Sequence, residues 1–295
     1  MANKPSAEVD VTPALVRRLL AEQHPDLADL PLRVVAAGWD NAILRLGDDL
    51  AVRVPRRALA ASLVVHEQEW LPVLAPVLGV AVPAPVRVGV PSESFGWAWS
   101  VVPWFEGRPA SMISPAERRS LAEPLADVVG RLHVQAPDGA PANPFRGVPL
   151  AARDVMMRER IAGGLVPEPA RVLALWVHLL ATPRWSGPRL WLHGDLHPAN
   201  LLVAGDGRLR ALLDFGDLTA GDPAVDLATA WLTFDAPGRH AFQARVTQRC
   251  GTKPDTWRRA RGWALVLAAA LLANSDDDDT FRAMGTHALT EALAG

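Results

Sequence analysis

Leu15, Leu19 and Leu20 fall on one helical face in "TPALVRRLLAEQHP", behind Thr12 as N-cap and Pro13 at the first helical position. The period then changes. "PLRVVAAGWDNAILRLGDDLAVRVPRR" holds two short β-favouring runs on either side of Gly38 and a third after the turn signal "LGDDL". That pattern predicts a small antiparallel sheet. Helical spacing returns in "SLVVHEQEWLPVLAPVL", through Leu63, Glu67, Trp70, Leu71 and Leu74. "APVRVGV" and "WAWSVVPWF" predict further strands. Beyond Gly107 the texture is helical, in "SPAERRSLAEPLADVVGRLHVQ", in "EPARVLALWVHLLAT" and in most of the chain after Pro223. Pro-rich linkers surround Ala136 to Pro149. A β-rich first third followed by a helical remainder predicts an α+β, bilobal architecture, with an N-lobe over residues 1–103 and a C-lobe over 104–295.

One polar stretch interrupts this apolar frame. "LWLHGDLHPANLLV", Leu190 to Val203, carries two histidines, an aspartate and an asparagine. After it, the runs Leu201–Val203 and Leu209–Leu213 are separated by "GDG", which predicts a hairpin. The hairpin brings Asp214 back beside Asn200, and both beside the loop that carries Asp195. Asn200 and Asp214 suit magnesium, a hard cation that takes oxygen ligands from one or two side chains and the rest from water and phosphate. Asp195, placed before them, suits orienting a hydroxyl and accepting its proton. An aspartate, an asparagine five residues on and an aspartate on the next hairpin is the phosphoryl-transfer arrangement. Zinc would need His193 and His197 on a common face, and a loop containing Gly and Pro does not enforce one.

Composition narrows the alternatives. The 295-residue chain is 49% hydrophobic with a formal net charge of −2, so it lacks the basic field expected of a nucleic-acid or anionic-membrane binder. Its single cysteine, Cys250, makes no internal disulfide and no cysteine-based zinc cage. "MANKPSAEVD" lacks a signal-peptide pattern, and "GWALVLAAALLA" is too short to span a bilayer. A cytoplasmic protein with a small-molecule hydroxyl substrate is expected, and no obligate protein partner is inferred.

"HGDLHPANLL…LLDFGDLTAGDPAVDLA" resembles the aminoglycoside phosphotransferase family of antibiotic kinases, which are similar in fold to protein kinases. "GWDNAILRLGDDLAVRVPRR" and "HEQEWLPVLAP" extend the resemblance to the first third. The resemblance implies that Asp195 is the catalytic base, that Asn200 and Asp214 hold Mg2+, and that Asp226 braces the catalytic loop. "GDPAVDLATAW" is also a sound helix start, with Asp222 as N-cap, so dipole complement is an equal account of Asp226. His197 is expected to order the loop by hydrogen bonding, with His193 supporting the site.

ATP or GTP requires a cation at its phosphates. In "LAVRVP" Arg53 alternates to the face opposite Val52 and Val54, where protein kinases carry a lysine. Arginine there is a departure, although its guanidinium still neutralises phosphate. Glu67 shares the apolar stripe of its helix and is the expected partner, a solvated Glu67 being the alternative. Gly38 is the candidate phosphate cover, although a plain turn explains it equally well. The Pro103 carbonyl and the Phe105 N–H are the candidate adenine contacts. The run Asp276, Asp277, Asp278 and Asp279 would attract a cationic acceptor, or else is a solvated loop or helix cap. The expected activity is transfer of the γ-phosphoryl group to a small molecule such as an aminoglycoside or macrolide. The alternatives are a metabolic kinase of the choline, amino-alcohol or sugar type and a nucleotide-binding pseudokinase.

Overall fold

The computed structural model describes residues 6–38, 40–275 and 278–295. The chain forms two compact units. Of the described residues, the smaller holds 6–77 together with Ala81–Glu106, and the larger holds Leu78–Val80 and Gly107–Gly295.

The smaller unit begins with α1 (Pro13–Gln23), whose Thr12 hydroxyl accepts from the Leu15 N–H at 3.2 Å. The strands β1 (Leu32–Ala37), β2 (Asn41–Leu46) and β3 (Leu50–Pro55) precede the long helix α2 (Ala58–Leu78). β4 (Arg87–Gly89) and β5 (Trp99–Pro103) complete a five-stranded antiparallel sheet of order β1-β2-β3-β5-β4. Alternation along β3 sorts its side chains. Val52 and Val54 join Leu15, Val16, Leu19 and Leu20 of α1, and Trp99, in one apolar core. Arg53 is buried on the other side, where Gln68 of α2 donates to the Trp99 carbonyl at 2.8 Å and to the Ser100 hydroxyl at 3.1 Å. A central strand therefore carries a buried cation, and its face is covered by a helix rather than by water.

The larger unit is mainly helical. β6 (Arg108–Pro109) leads to α3 (Ala122–Leu132), α4 (Asp154–Ala162) and α5 (Pro169–Leu180). β7 (Leu190–Leu192), β8 (Leu201–Val203), β9 (Leu209–Leu212) and β10 (Thr219–Gly221) follow. The last five helices are α6 (Ala224–Leu227), α7 (Thr229–Thr233), α8 (Ala236–Cys250), α9 (Pro254–Ala273) and α10 (Asp279–Ala294). β8 and β9 form the hairpin that "GDG" predicts, with Leu201 opposite Leu212, and β6 adds a third strand along β8. β7 pairs with β10, so the polar loop after Leu192 is anchored by two separate strand pairs.

The run "GWALVLAAALLA" lies within α9, whose residues from Gly262 to Ala269 are all buried, and α10 packs along it. None of the described helices is long and apolar enough to cross a membrane. Asp222 does accept from the Ala224 N–H at 3.1 Å, but the helix it starts is one short turn. Its carboxylate mainly serves Arg259 of α9, at 2.7 and 3.2 Å, inside the core. That pairing spans thirty-seven positions, which local sequence patterns do not register.

His287 of α10 donates from Nε2 to the Phe234 carbonyl at 3.2 Å. Burial holds its imidazole below the usual range, against the pull of Glu291 and with the help of Arg118. The unfolded chain therefore takes up this proton first as the pH falls. Stability contributed by His287 is complete above about pH 6.5 and declines below it, towards the lowered folded-state value. Urea unfolding between pH 5 and 8 is expected to show less acid sensitivity in His287→Gln than in the parent.

Candidate active site

Two strands hold the polar loop at fixed points, and one buried carboxylate shapes it. Asp226 is fully buried, and its two oxygens accept from the backbone N–H groups of His193 and Gly194, each at 2.8 Å. His133 at the end of α3 adds Nε2 at 3.1 Å from Oδ2. Gly194 takes φ +85°, and a Cβ there would lie 2.2 Å from the Asp217 carbonyl oxygen. Only glycine combines that conformation with that approach. His193 is equally constrained. Its Nδ1 accepts from the Asp195 N–H at 3.2 Å, which places the ring proton on Nε2, donating to the Leu213 carbonyl at 2.9 Å. The imidazole thus ties the loop to the end of β9.

Asp195 emerges from this frame with its side chain 28% exposed. Asn200 Nδ2 donates to the Asp195 carbonyl at 2.9 Å and reaches Oδ2 at 3.4 Å. His197 Nε2 lies 3.2 Å from Oδ2, and Arg146 Nη2 lies 3.4 Å from Oδ1. Burial alone would raise this carboxyl group. The charge and hydrogen bond of His197, with Arg146 behind them, outweigh burial and hold Asp195 well below the usual carboxylate range. The same coupling acts in reverse on His197, where burial is overcome by Asp195 and then by Asp214, and the imidazole is raised. Phe281 of α10 meets the His197 ring edge-on at 6.0 Å.

The Leu213 N–H donates to the Asn200 carbonyl at 2.8 Å, one step beyond the Leu201–Leu212 pair. The hairpin register therefore brings the start of β8 beside the chain leading to Asp214. Asp214 has φ +55°, a left-handed conformation that aspartate tolerates better than most side chains, and its Oδ1 accepts from the Gly216 N–H at 3.3 Å. Asn200 spends its amide nitrogen on Asp195, which directs its carbonyl end elsewhere. Asn200 and Asp214 each carry a side-chain oxygen of the kind that would suit Mg2+, with phosphate and water supplying the remaining ligands. Among the described residues no three His, Cys, Asp or Glu side chains converge as a self-sufficient metal site.

Three participants escape the sequence reading. Arg146 sits in the Pro-rich stretch treated above as linker, and its Nη2 bridges Asp195 and, at 3.0 Å, Asp217. Asn143 donates to the other oxygen of Asp217 at 2.7 Å. Burial pushes the Asp217 carboxyl group up, Arg146 opposes the rise, and the charge of Asp195 adds to it. The fourth letter of "DFGD" is the only local signal for this group.

In the smaller unit Arg53 Nη1 lies 3.0 Å from Glu67 Oε1, both side chains being nearly inaccessible. The Asn41 carbonyl oxygen, with the amide turned to satisfy both partners, accepts from Arg53 Nη2 at 3.0 Å and Nε at 3.2 Å. Gly38 closes the turn between β1 and β2, its N–H donating to the Asn41 carbonyl at 2.9 Å and its carbonyl accepting from Arg56 at 2.8 Å. Arg56 and the neighbouring Arg57, which pairs with Asp40, therefore belong to this turn. Pro103 ends β5 opposite Leu50, and Phe105 follows it, half-buried and outside the sheet. Asp276 and Asp277 lie outside the described residues. Asp278 caps α10, accepting from the N–H groups of Thr280 at 2.9 Å and Phe281 at 3.2 Å, and Asp279 is exposed beside Arg282.

A sheet whose buried arginine pairs with a helix glutamate, and a helical unit with a carboxylate-braced polar loop, define a protein-kinase-like fold. The chain belongs to the phosphotransferase enzyme family, whose model matches residues 31–263. It is similar to the solved GDP complex of aminoglycoside 2'-phosphotransferase-IIIa, at 18% identity and a TM-score of 0.71, over 96% of this chain and 99% of that one. It is also similar to macrolide 2'-phosphotransferase MphH from Brachybacterium faecium, at 26% identity and a TM-score of 0.60, over 95% of this chain and 97% of that one. A short segment is 43% identical over 42 residues to the uncharacterized protein YcbJ of Bacillus subtilis (strain 168), and spans 14% of each chain.

Replacing Asp226 by alanine leaves two buried backbone N–H groups and an imidazole without their acceptor. The expected loss is about 3 kcal/mol or more of unfolding free energy in urea. Glu67→Ala strands the buried Arg53 charge and is expected to cost about 3–5 kcal/mol, while Glu67→Gln, which keeps an acceptor, costs less.

Proposed function

We propose that this phosphotransferase moves the γ-phosphoryl group of ATP or GTP to a hydroxyl of a small molecule. The single observation that carries the reading is the geometry at Asp195. Its carboxylate is held ionised at the mouth of a rigid loop, within hydrogen-bond reach of Asn200 and His197, one hairpin away from Asp214. An ionised carboxylate in that position orients an acceptor hydroxyl and receives its proton as the P–O bond forms. His197 and Arg146 meet its two oxygens and favour its charged form. Asn200 and Asp214 would hold Mg2+, which when bound would supply charge neutralisation at the phosphates.

In the smaller unit Arg53 is the proposed phosphate cation, with its fork fixed by Glu67 on one side and Asn41 on the other. Gly38, Pro103 and Phe105 remain the proposed nucleotide contacts. The known relatives include enzymes named for aminoglycosides and for a macrolide, so antibiotics of these two classes are the first acceptors to screen. The rate enhancement would come mainly from positioning and charge stabilisation.

The decisive variant is Asp195→Asn, which keeps the size and shape of the side chain and removes the proton acceptor, giving up one of its two acceptor oxygens. Steady-state assays with Mg2+ and either nucleotide are expected to show kcat lowered by about 10²–10⁴-fold. The nucleotide KM should stay within a few-fold of the parent. Unchanged turnover would remove Asp195 from the role assigned here.

A further inference from the structure

Arg146 reaches Asp195 from a segment that belongs to no helix or strand, yet that segment is held along its length. The Pro141 carbonyl accepts from the Thr219 hydroxyl at 3.0 Å and from Arg189 Nη2 at 3.4 Å. Asn143 Oδ1 accepts from the Phe145 N–H at 2.8 Å, and its Nδ2 donates to Asp217 Oδ1 at 2.7 Å. The Gly147 carbonyl accepts from the Asp222 N–H at 3.0 Å. Gly147 has φ +66°, and a Cβ there would lie 2.7 Å from Leu192 Cδ1 and 3.3 Å from Gly221 Cα, so the chain is drawn tight against β7 and β10. Pro141 and Pro144 reduce the conformational freedom the unfolded segment must surrender. The Pro-rich stretch is therefore a fixed strap, and it delivers one guanidinium to the polar loop.

Asp217 governs how that guanidinium meets Asp195. Arg146 Nη2 lies 3.0 Å from Asp217 Oδ2 and donates to Asp195 Oδ1 at 3.4 Å, so the shorter contact is to Asp217. Asp217 thus spends one oxygen on Asn143 and the other on Arg146. A guanidinium that faces a single carboxylate readily closes on both of its oxygens. Here a second carboxylate holds it to one side. Asp195 keeps Oδ2 for His197 and Asn200, and its side chain stays 28% exposed. An arginine drawn wholly onto Asp195 would compete for the oxygens that receive a proton.

We propose that Asn143, Asp217 and Arg146 form a positioning relay for Asp195. Asn143 orients Asp217, Asp217 holds the guanidinium of Arg146, and Arg146 sets the direction of the Asp195 carboxylate. The three are positioning residues, since each acts through Asp195. The inference rests on the reading of Asp195 as the residue that orients the acceptor hydroxyl, and it specifies what aims that residue.

Arg146→Met, Arg146→Lys, Asp217→Asn and the Arg146→Met/Asp217→Asn double variant test it in the full-length chain. Turnover is read as ADP release from ATP and Mg2+, with kanamycin, erythromycin or water as acceptor. Arg146→Met is expected to lower kcat about tenfold or more while the nucleotide KM stays within a few-fold of the parent, because a misdirected base slows the chemical step alone. Asp217→Asn should lower kcat by a smaller factor with the same split. Arg146→Lys keeps the charge without the fork and should recover part of the loss. Residues acting in series are not additive, so the double variant should fall no lower than Arg146→Met.

A lowered Tm with parental kcat per folded molecule, or losses that multiply in the double variant, overturns the relay. If Arg146→Met fails to fold, Asp217→Asn carries the kinetic test. Crystal structures of the variants read the same point with no acceptor needed. The Asp195 carboxylate is expected to turn away from its parental direction, and an unmoved Asp195 overturns the relay. Should Asp195→Asn retain parental turnover while Asp195 turns in these structures, the role given to Asp195 falls and the relay stands as what directs that side chain.

Discussion

The buried carboxylate of Asp226 is the constraint on which the polar loop depends. It accepts from two successive backbone N–H groups, and those two bonds fix the direction in which residue 195 leaves the loop. The turn works only because residue 194 lacks a side chain, since the Asp217 carbonyl occupies the space a Cβ would need. His193 then closes the ring by joining the loop to the end of β9. A flexible loop would lose orientational entropy each time a substrate bound, and here that cost is met during folding. Asp226 thus acts through the peptide groups it holds.

Charge balance in the larger unit follows from this geometry. The charges of Asp195 and Asp214 both reach Asp217, and such a concentration of carboxylates calls for cations to match. His197 and Arg146 supply part of that balance. The smaller unit solves a similar problem with fewer groups. Arg53 projects from the middle of a buried strand, where its charge is tolerated only because Glu67 and Asn41 meet the guanidinium from two sides. The substitution of arginine for the lysine usual in protein kinases is matched locally by an asparagine that accepts from two of its nitrogens.

Much of this is legible in the chain itself. The switch from period two to helical spacing gives the α+β order, and "GDG" between two apolar runs gives the hairpin. Glu67 on an apolar stripe already asks for a cation, and Arg53 on an alternating strand is one. Legibility fails where partners are far apart in sequence and neither carries a local pattern. Arg146 lies forty-nine positions from Asp195 and Arg259 thirty-seven from Asp222. Gln68, polar in the middle of a helix, binds the backbone of β5, a role no local pattern announces.

The sequence by itself determines the local periodicities, the turns and the spacing of Asp195, Asn200 and Asp214. These are properties of neighbouring residues, and a short stretch of backbone enforces them. Only the tertiary structure decides which charges neutralise one another. Burial makes an unpaired charge expensive, and a chain can bring any two of its residues together to avoid that expense. Arg146 on Asp195 and Asp226 beneath Gly194 both follow from how the helices close over the loop, and no window of the sequence contains both halves of those contacts.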